Sequence, residues 1–235
     1  MKKVDWKLIV IIILLVITIV EGIFLINKKD TKIEINKEEK KELTYNENNV
    51  VSKISNDIKL EYEIFGEGNY LLLSLTSLEK NITTGSLKVV FKNSNNVVVD
   101  TYETLTGLLK INDVYVINLT IPEINNSYAG DIEVYYTPTY MDEESILKDK
   151  SLMKLSTQEI TEEGTKELNI TGVNPYEQKI SLIQGVIILY KENKVVYVTH
   201  YSKNDIEANG EVNLKIVIPN EIEYDKIETI INELF

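Results

Sequence analysis

The sequence contains no cysteine and no arginine, and only one of its 235 residues is a histidine. Without cysteine the chain can form neither disulfide bonds nor thiolate zinc sites, and it has no thiol nucleophile. Without arginine it lacks the planar group that binds phosphate or carboxylate in a bidentate manner. A single histidine cannot build a metal site with several histidine ligands. Stability must therefore come from packed apolar cores, and an enzyme would have to rely on carboxylates.

The charge is one-sided. All 25 basic residues are lysine, against 37 acidic residues, and the net charge is −12. Nucleic-acid surfaces need basic side chains to neutralise phosphates, so we expect no nucleic-acid partner. The chain is rich in isoleucine, lysine, asparagine and tyrosine, a bias typical of AT-rich bacterial genomes. Together with the absence of cysteine, this composition is compatible with an exported bacterial protein.

One long apolar run lies near the N-terminus. Of residues 8–26, 16 of 19 are leucine, isoleucine, valine or phenylalanine. As a helix the run would be about 28 Å long, close to the ~30 Å hydrocarbon core of a bilayer. We therefore predict an N-terminal transmembrane anchor over residues 1–26, with the membrane lipid bilayer as a partner. An ionisable group inside a span commonly marks a functional contact, so Glu21 is a candidate intramembrane contact.

A cleaved signal peptide is the alternative interpretation of this run. Lys2 and Lys3 resemble a signal-peptide start, but Val20-Glu21-Gly22 is a poor match to a small-x-small cleavage site. The apolar run continues past that point, which favours an uncleaved anchor. Lysines flank the run on both sides, so their count does not set its orientation. A lysine-headed start is typical of export signals, so we expect a single-pass protein of the cell membrane with extracytoplasmic C-terminal domains.

Composition divides the rest of the chain into a stalk and a strand-rich part. Residues 27–56 are rich in lysine, glutamate and asparagine, which indicates a solvated, charged stalk, with a short helix as the alternative. From residue 57 onward, short alternating or β-branched runs are separated by glycine, asparagine and proline, a pattern that predicts strands. These runs cover residues 60–64, 70–75, 87–91, 97–101, 114–121 and 132–136. Their spacing predicts antiparallel β-sandwich structure.

An internal repeat with a period of about 96 residues indicates two domains. The matching pairs are Glu63-Ile64-x-x-Glu67-Gly68 with Glu159-Ile160-x-x-Glu163-Gly164, Phe91-Lys92 with Tyr190-Lys191, Val97-Val98 with Val195-Val196, and Ile121-Pro122 with Ile218-Pro219. We predict tandem β-sandwich domains over residues 57–141 and 154–235. The linker, residues 142–153, can form one or two helical turns.

The last segment of the second repeat has two interpretations. Ile227, Ile230, Ile231 and Leu234 fall at helical spacing, whereas the alignment with Asp131-Ile132-Glu133 in the first repeat favours a strand. We predict a strand.

The order of the repeats resembles bacterial immunoglobulin-like modules of the FxLYD type. The second repeat, Ile187-Ile188-Leu189-Tyr190-Lys191, keeps the Leu-Tyr of that motif, and the first, Lys88-Val89-Val90-Phe91-Lys92, is further from it. The resemblance implies two tandem immunoglobulin-like antiparallel sandwiches and a binding or spacing role at the cell surface. It carries over no catalytic residue.

Two motifs could carry chemistry but have simpler explanations. Asp205-x-Glu207-x-Asn209-Gly210 imitates the first half of an EF-hand loop, yet the twelfth position is Ile216 instead of glutamate, so a hairpin turn is expected. We expect positive φ at the second residue of this turn and of the matching Asn112-Asp113. His200 follows an apolar run and fits a surface strand position.

Acid pairs such as Glu143 with Glu144 could serve a glycosidase, but a chain with 37 acids produces such pairs by chance. We therefore expect no enzyme, no cofactor and no metal.

Tyr135, Tyr136 and Tyr140 are the candidate partner-binding residues. Strand alternation places Tyr135 and Tyr136 on opposite faces, so one should enter the core while the other joins Tyr140. The rings would either fill the contact between the two domains or form a platform for a sugar or peptide. The second repeat lacks them, so the shared fold does not require them.

The expected function is that of a membrane-anchored extracytoplasmic binding or structural module. Its partner would be an envelope protein or polysaccharide. The alternative is a subunit of a membrane sensor or of a secretion or assembly complex, which would contact its partners through the anchor.

Overall fold

The computed structural model describes residues 49–122, 129–141, 148–162 and 164–235. The predicted anchor with Glu21, most of the predicted stalk and residues 142–147 of the predicted linker lie outside these ranges, as do Glu143 and Glu144. Within the described ranges, none of the helical segments is long and apolar enough to cross a membrane. All described residues belong to one compact unit, Leu43–Phe235.

The described chain is mainly β. Its strands are β1 (Val50–Lys53), β2 (Ile58–Phe65), β3 (Tyr70–Ser77), β4 (Ile82–Asn93), β5 (Val98–Thr106), β6 (Val114–Thr120), β7 (Ala129–Tyr140), β8 (Leu155–Glu162), β9 (Thr165–Val173), β10 (Ile180–Lys191), β11 (Lys194–Ile206), β12 (Glu211–Val217) and β13 (Lys226–Leu234). A 3-10 turn, Lys150–Leu152, precedes β8. Each predicted strand run is confirmed, and the final segment is a strand, as predicted.

The strands form four sheets in two halves that share one plan. In the first half, residues 49–141, sheet one has the order β1-β7-β4-β5 and sheet two the order β2-β3-β6. In the second half, residues 148–235, sheet three has the order β11-β10-β13 and sheet four the order β12-β9-β8. All pairings are antiparallel except that of β1 with β7, which is parallel. The strand order of the second half therefore repeats that of the first, with β1 as an addition.

Each half has its own buried cluster, built by alternation along its strands. In β4, Leu87, Val89 and Phe91 are buried and alternate with polar residues such as Lys88. Cluster one combines such side chains from sheets one and two, including Leu71, Leu73, Leu87, Val89, Phe91, Leu119, Ile132 and Val134. Cluster two does the same for sheets three and four, including Leu168, Ile170, Ile183, Ile187, Leu189 and Val212.

A third cluster joins the two halves. It packs sheet two against sheet three, and its buried members are Phe65, Leu72, Val116, Val186, Ile188, Val195 and Val198. Fully burying side chains of this size is worth ~1.5–3 kcal/mol each. Sheets two and three are thus each covered by apolar clusters on both faces, and the halves share a core.

Two details differ from the sequence predictions. Val50–Lys53, within the predicted stalk, forms β1 and pairs with β7, so ordered structure begins before residue 57. Positive φ falls on the first residue of each turn, at Asn112 (68°) and Asn209 (57°), and not on Asp113 or Gly210. Asparagine tolerates this conformation. A Cβ on Gly210 would lie 2.8 Å from the Glu207 carbonyl oxygen, so close approach, not positive φ, explains the glycine.

Candidate functional site

The three candidate tyrosines of β7 occupy different environments. Tyr136 is buried in cluster one, and its hydroxyl shares a hydrogen bond of 2.8 Å with the Thr106 hydroxyl. Tyr140 is half-buried against the same cluster and donates to the carboxylate of Asp57. Tyr135 is half-buried on the opposite face of sheet one. Alternation thus separates Tyr135 from Tyr136 as predicted, but Tyr135 does not join Tyr140.

The predicted role of these rings in the contact between the halves is wrong. They belong to β7 in sheet one, whereas the contact between the halves is built from sheets two and three. None of the three tyrosines is part of the third cluster.

Tyr135 is the centre of a charged arrangement on the face of sheet one turned away from cluster one, which we call the outer face. Its hydroxyl donates to Glu133 Oε2 at 2.7 Å, and the same oxygen pairs with Lys92 Nζ at 2.9 Å. The hydrogen bond from Tyr135 and the charge of Lys92 lower the pKa of Glu133, and the bond to Glu133 raises the pKa of Tyr135. Lys53 and Lys88 are the cross-strand neighbours of Tyr135 on β1 and β4. The outer face thus presents an aromatic ring among lysines, of which Lys92 pairs with Glu133 and Lys88 pairs with Glu103 at 2.6 Å.

The polar contacts between the halves converge near Asn232. The Asn232 amide pairs with the backbone of Val116. Lys150 Nζ donates to the carbonyl oxygens of Leu108 at 3.0 Å and of Asn232 at 2.6 Å. Because the Lys150 ammonium is desolvated, its pKa is lowered, although Asp113 at 3.6 Å opposes that shift. These contacts join elements of both halves around a buried lysine.

A groove of about 660 Å³ between the halves is lined by Glu61, Glu63, Asp113 and Glu228, among other residues. It is the cleft that a carboxylate enzyme would use. Glu63 Oε1 accepts the Val195 N–H at 2.7 Å, and Asp113 pairs with Lys150. Lys226 lies 3.4 Å from Glu228. Lys59 Nζ lies 2.7 Å from Glu61 Oε1, so all four carboxylates are engaged in contacts with the surrounding structure.

A second cleft of about 360 Å³ lies between β5 and β6 on one side and β10 and β11 on the other. His200 lies in this cleft at an exposed position of β11. Partial desolvation of its imidazole by the cleft lowers its pKa. The Asn118 Oδ1 is buried in this region and has no hydrogen-bond partner among the described residues. His200 thus occupies a surface strand position, as predicted.

The segment that imitates an EF-hand loop forms a tight turn. Gly210 N–H donates to the Glu207 carbonyl oxygen at 2.8 Å. The turn joins β11 to β12, which belong to different sheets, so the hairpin prediction is wrong. Lys179 pairs with Asp205 at 2.7 Å and lies 3.7 Å from Glu207. Over the described ranges, no group of three histidine or acidic residues is arranged to hold a metal ion.

Sequence reasoning missed the residues that join the halves. Asn232 interrupts the apolar spacing of β13, and a polar residue at such a position is a signal of a specific buried hydrogen bond. Lys150 lies in a charged segment and gives no such signal. The exposure of β5 was also missed, because its valines fit a buried strand equally well.

No family model matches the sequence, and no curated protein matches it.

Proposed function

We propose that this chain is a membrane-anchored extracytoplasmic binding module made of two immunoglobulin-like sandwiches, and that it is not an enzyme. The anchor is residues 1–26, and the two sandwiches are the two halves. The partner is an envelope protein or polysaccharide that binds the outer face of sheet one. The resemblance to FxLYD-type modules supports the same role.

The observation that carries this proposal is the position of Tyr135. The ring lies on a sheet face that neither cluster one nor the second half covers, and the second repeat has no counterpart to it. A half-exposed tyrosine among lysines offers an apolar surface together with hydrogen-bond donors. Such a surface suits a sugar or an acidic peptide.

The contact between the halves supports a presenting role. The third cluster and the buried Lys150 fix one half against the other. The outer face therefore has a fixed orientation relative to the second half. A module built in this way keeps its binding face on a rigid element.

The test compares partner capture by the full chain with that by two variants. Envelope protein and polysaccharide fractions from the source are passed over the immobilised parent, Tyr135→Ala and Tyr224→Ala. Tyr224 is the matched control, because it is also half-buried and donates to a carboxylate, that of Glu159, but lies in the second half. Tyr135→Ala should lose capture and Tyr224→Ala should keep it. Equal capture by all three proteins would refute the outer face as the binding site.

The alternative is a subunit of a membrane sensor or assembly complex that contacts partners through Glu21. Exchanging the anchor for an unrelated one separates the two functions. A surface module keeps its capture after the exchange, whereas a subunit loses its function.

A further inference from the structure

β5 places exposed apolar side chains at an open edge of a sheet. The exposed fractions are 53% for Val98, 37% for Val99, 38% for Tyr102 and 69% for Leu105, and Val97, which directly precedes the strand, is 56% exposed. β5 is the last strand of sheet one, with β4 on one side only. Long apolar edge strands template pairing with another chain, and native proteins usually cover or charge them.

The corresponding edge strand of the second half is different. β11 is the last strand of sheet three, and its apolar residues Val195, Val198 and Tyr201 are buried. Its exposed positions include Lys194, His200 and Asn204. The shared fold therefore does not require the apolar surface of β5.

Two backbone groups of β5 bond to side chains of the same strand. The Thr101 N–H donates to the carboxylate of its own neighbour, Asp100, at 2.7 Å. The Leu105 carbonyl oxygen accepts the Thr104 hydroxyl at 3.4 Å. Because backbone groups alternate sides along an antiparallel strand, Thr101, Glu103 and Leu105 direct theirs toward the open edge.

We propose that a second copy of this chain docks on β5, with the two β5 strands antiparallel and centred on Tyr102. In this register Thr101 pairs with Glu103 of the other copy, and the two Tyr102 rings face each other. Leu105 lies opposite Val99, so one exposed apolar pair is covered on each side of the centre, and Val98 lies opposite Thr106.

Charge selects this register among its neighbours. Centring the pair on Asp100 or on Glu103 would place two like charges directly opposite, which is destabilising. Centring it on Thr101 would place Glu103 opposite Val99. The register on Tyr102 avoids both faults and uses the open-edge groups of Thr101 and Glu103 as mutual hydrogen-bond partners.

The symmetry of the contact limits this assembly to two copies. The opposite edge of sheet one is the four-residue strand β1, Val50–Lys53, which pairs with β7 and is much shorter than β5. Very short edge strands are one way in which native sheets avoid further pairing. A two-fold contact of identical strands is isologous and closes on itself, so it gives a dimer and not a fibre.

The absence of cysteine makes a direct test simple. The full chain carrying Tyr102→Cys is reconstituted in liposomes and oxidised with copper phenanthroline and oxygen. The two thiols give up two protons and two electrons to the oxidant and form one disulfide. Facing residues at such a centre lie about 4.5–5.5 Å apart between Cβ atoms, close to what a disulfide needs. Lys194→Cys, at an exposed position of the edge strand β11 outside the cleft that Tyr102 lines, is the matched control.

We expect Tyr102→Cys to give a crosslinked dimer and Lys194→Cys to remain monomeric under the same conditions. A second measurement does not depend on the disulfide. The parent and Leu105→Lys are compared by light scattering in detergent at about 0.15 M salt, where the Debye length is about 8 Å. Leu105 is largely exposed, so the lysine should leave the fold intact and abolish the dimer. Equal crosslinking at positions 102 and 194, or an unchanged dimer in Leu105→Lys, would overturn the proposal.

Discussion

The side-chain amide of Asn232 replaces a neighbouring strand for Val116 at the edge of β6. Asn232 Oδ1 accepts the Val116 N–H at 2.9 Å, and Asn232 Nδ2 donates to the Val116 carbonyl oxygen at 2.7 Å. Both residues are buried, and they are 116 positions apart in the chain. One amide thus satisfies both backbone groups of Val116 at the edge of sheet two and fixes the second half against that sheet.

Replacing Asn232 should destabilise the protein strongly. In Asn232→Ala the Val116 N–H and carbonyl oxygen lose their partner inside the contact, at a cost of about 1–3 kcal/mol for each unsatisfied group. The free energy of unfolding is measured by urea denaturation. Asn213→Ala, at an exposed position of β12, is the control and should have little effect. Similar losses in the two variants would contradict the role of Asn232.

Lys150 should make stability rise with pH. Burial lowers the pKa of its ammonium in the folded state, so below the ordinary pKa of 10.5 the unfolded chain binds more protons than the folded one. Unfolding therefore becomes less favourable as pH rises from the folded pKa toward 10.5. Lys150→Met removes this contribution. The unfolding free energy of the parent minus that of the variant should therefore increase with pH. Urea denaturation between about pH 7 and 9.5 measures it, below the range where tyrosines ionise.

A pH-independent difference would show that the amine stays charged throughout. Lys154→Met is the control for removing a charge, because Lys154 is exposed and borders the same groove.

Substitutions of Asn209, in the turn between β11 and β12, test the finding that this residue has the positive φ. Asn209 holds the left-handed conformation, so Asn209→Gly should change the unfolding free energy little. Asn209→Val should cost about 1–2 kcal/mol, because a side chain other than glycine or asparagine is strained there. Thermal denaturation of both variants measures this. Equal changes of unfolding free energy in the two variants would show that the backbone strain lies at another residue of the turn.

Asp113 and Gly210 should not respond alike. Asp113→Gly loses the ion pair with Lys150 and the bond that Asp113 Oδ2 accepts from the Lys110 N–H at 3.1 Å, so it should destabilise instead of being neutral. Gly210→Val should destabilise because its side chain would crowd the Glu207 carbonyl oxygen. Both are measured by the same thermal denaturation, and a neutral Asp113→Gly would contradict this account.

The two halves should associate when produced as separate fragments. Residues 57–141 and 154–235 each carry a buried cluster, so each is predicted to fold cooperatively. Each would also expose its side of the third cluster, so fragments 49–141 and 148–235, which add β1 and Lys150, should bind each other. Calorimetric titration measures the binding, and Asn232→Ala in the second fragment should weaken it. Fragments that stay apart would contradict the energetic importance of the third cluster.

Alternation along the strands was predictable from the sequence because a period of two reports which face of a strand is buried. The sequence also contains a signal of the third cluster. Leu71, Leu72 and Leu73 are consecutive and buried, as are Val186 to Leu189, and continuous apolar runs are typical of strands covered on both faces. The position of positive φ in the turns was predicted wrongly because Asn112 and Asn209 tolerate it, so residue type alone did not settle which residue adopts it.

By itself the sequence determined the strands, the repeat and the alternation that separates Tyr135 from Tyr136. These are local properties, since neighbours along the chain decide which side chains share a face of a strand. Only the tertiary structure decided which edges are closed. β1 closes β7, the Asn232 amide closes β6, and β5 stays open, because each edge depends on segments far apart in the chain whose meeting is set by the packing of whole sheets.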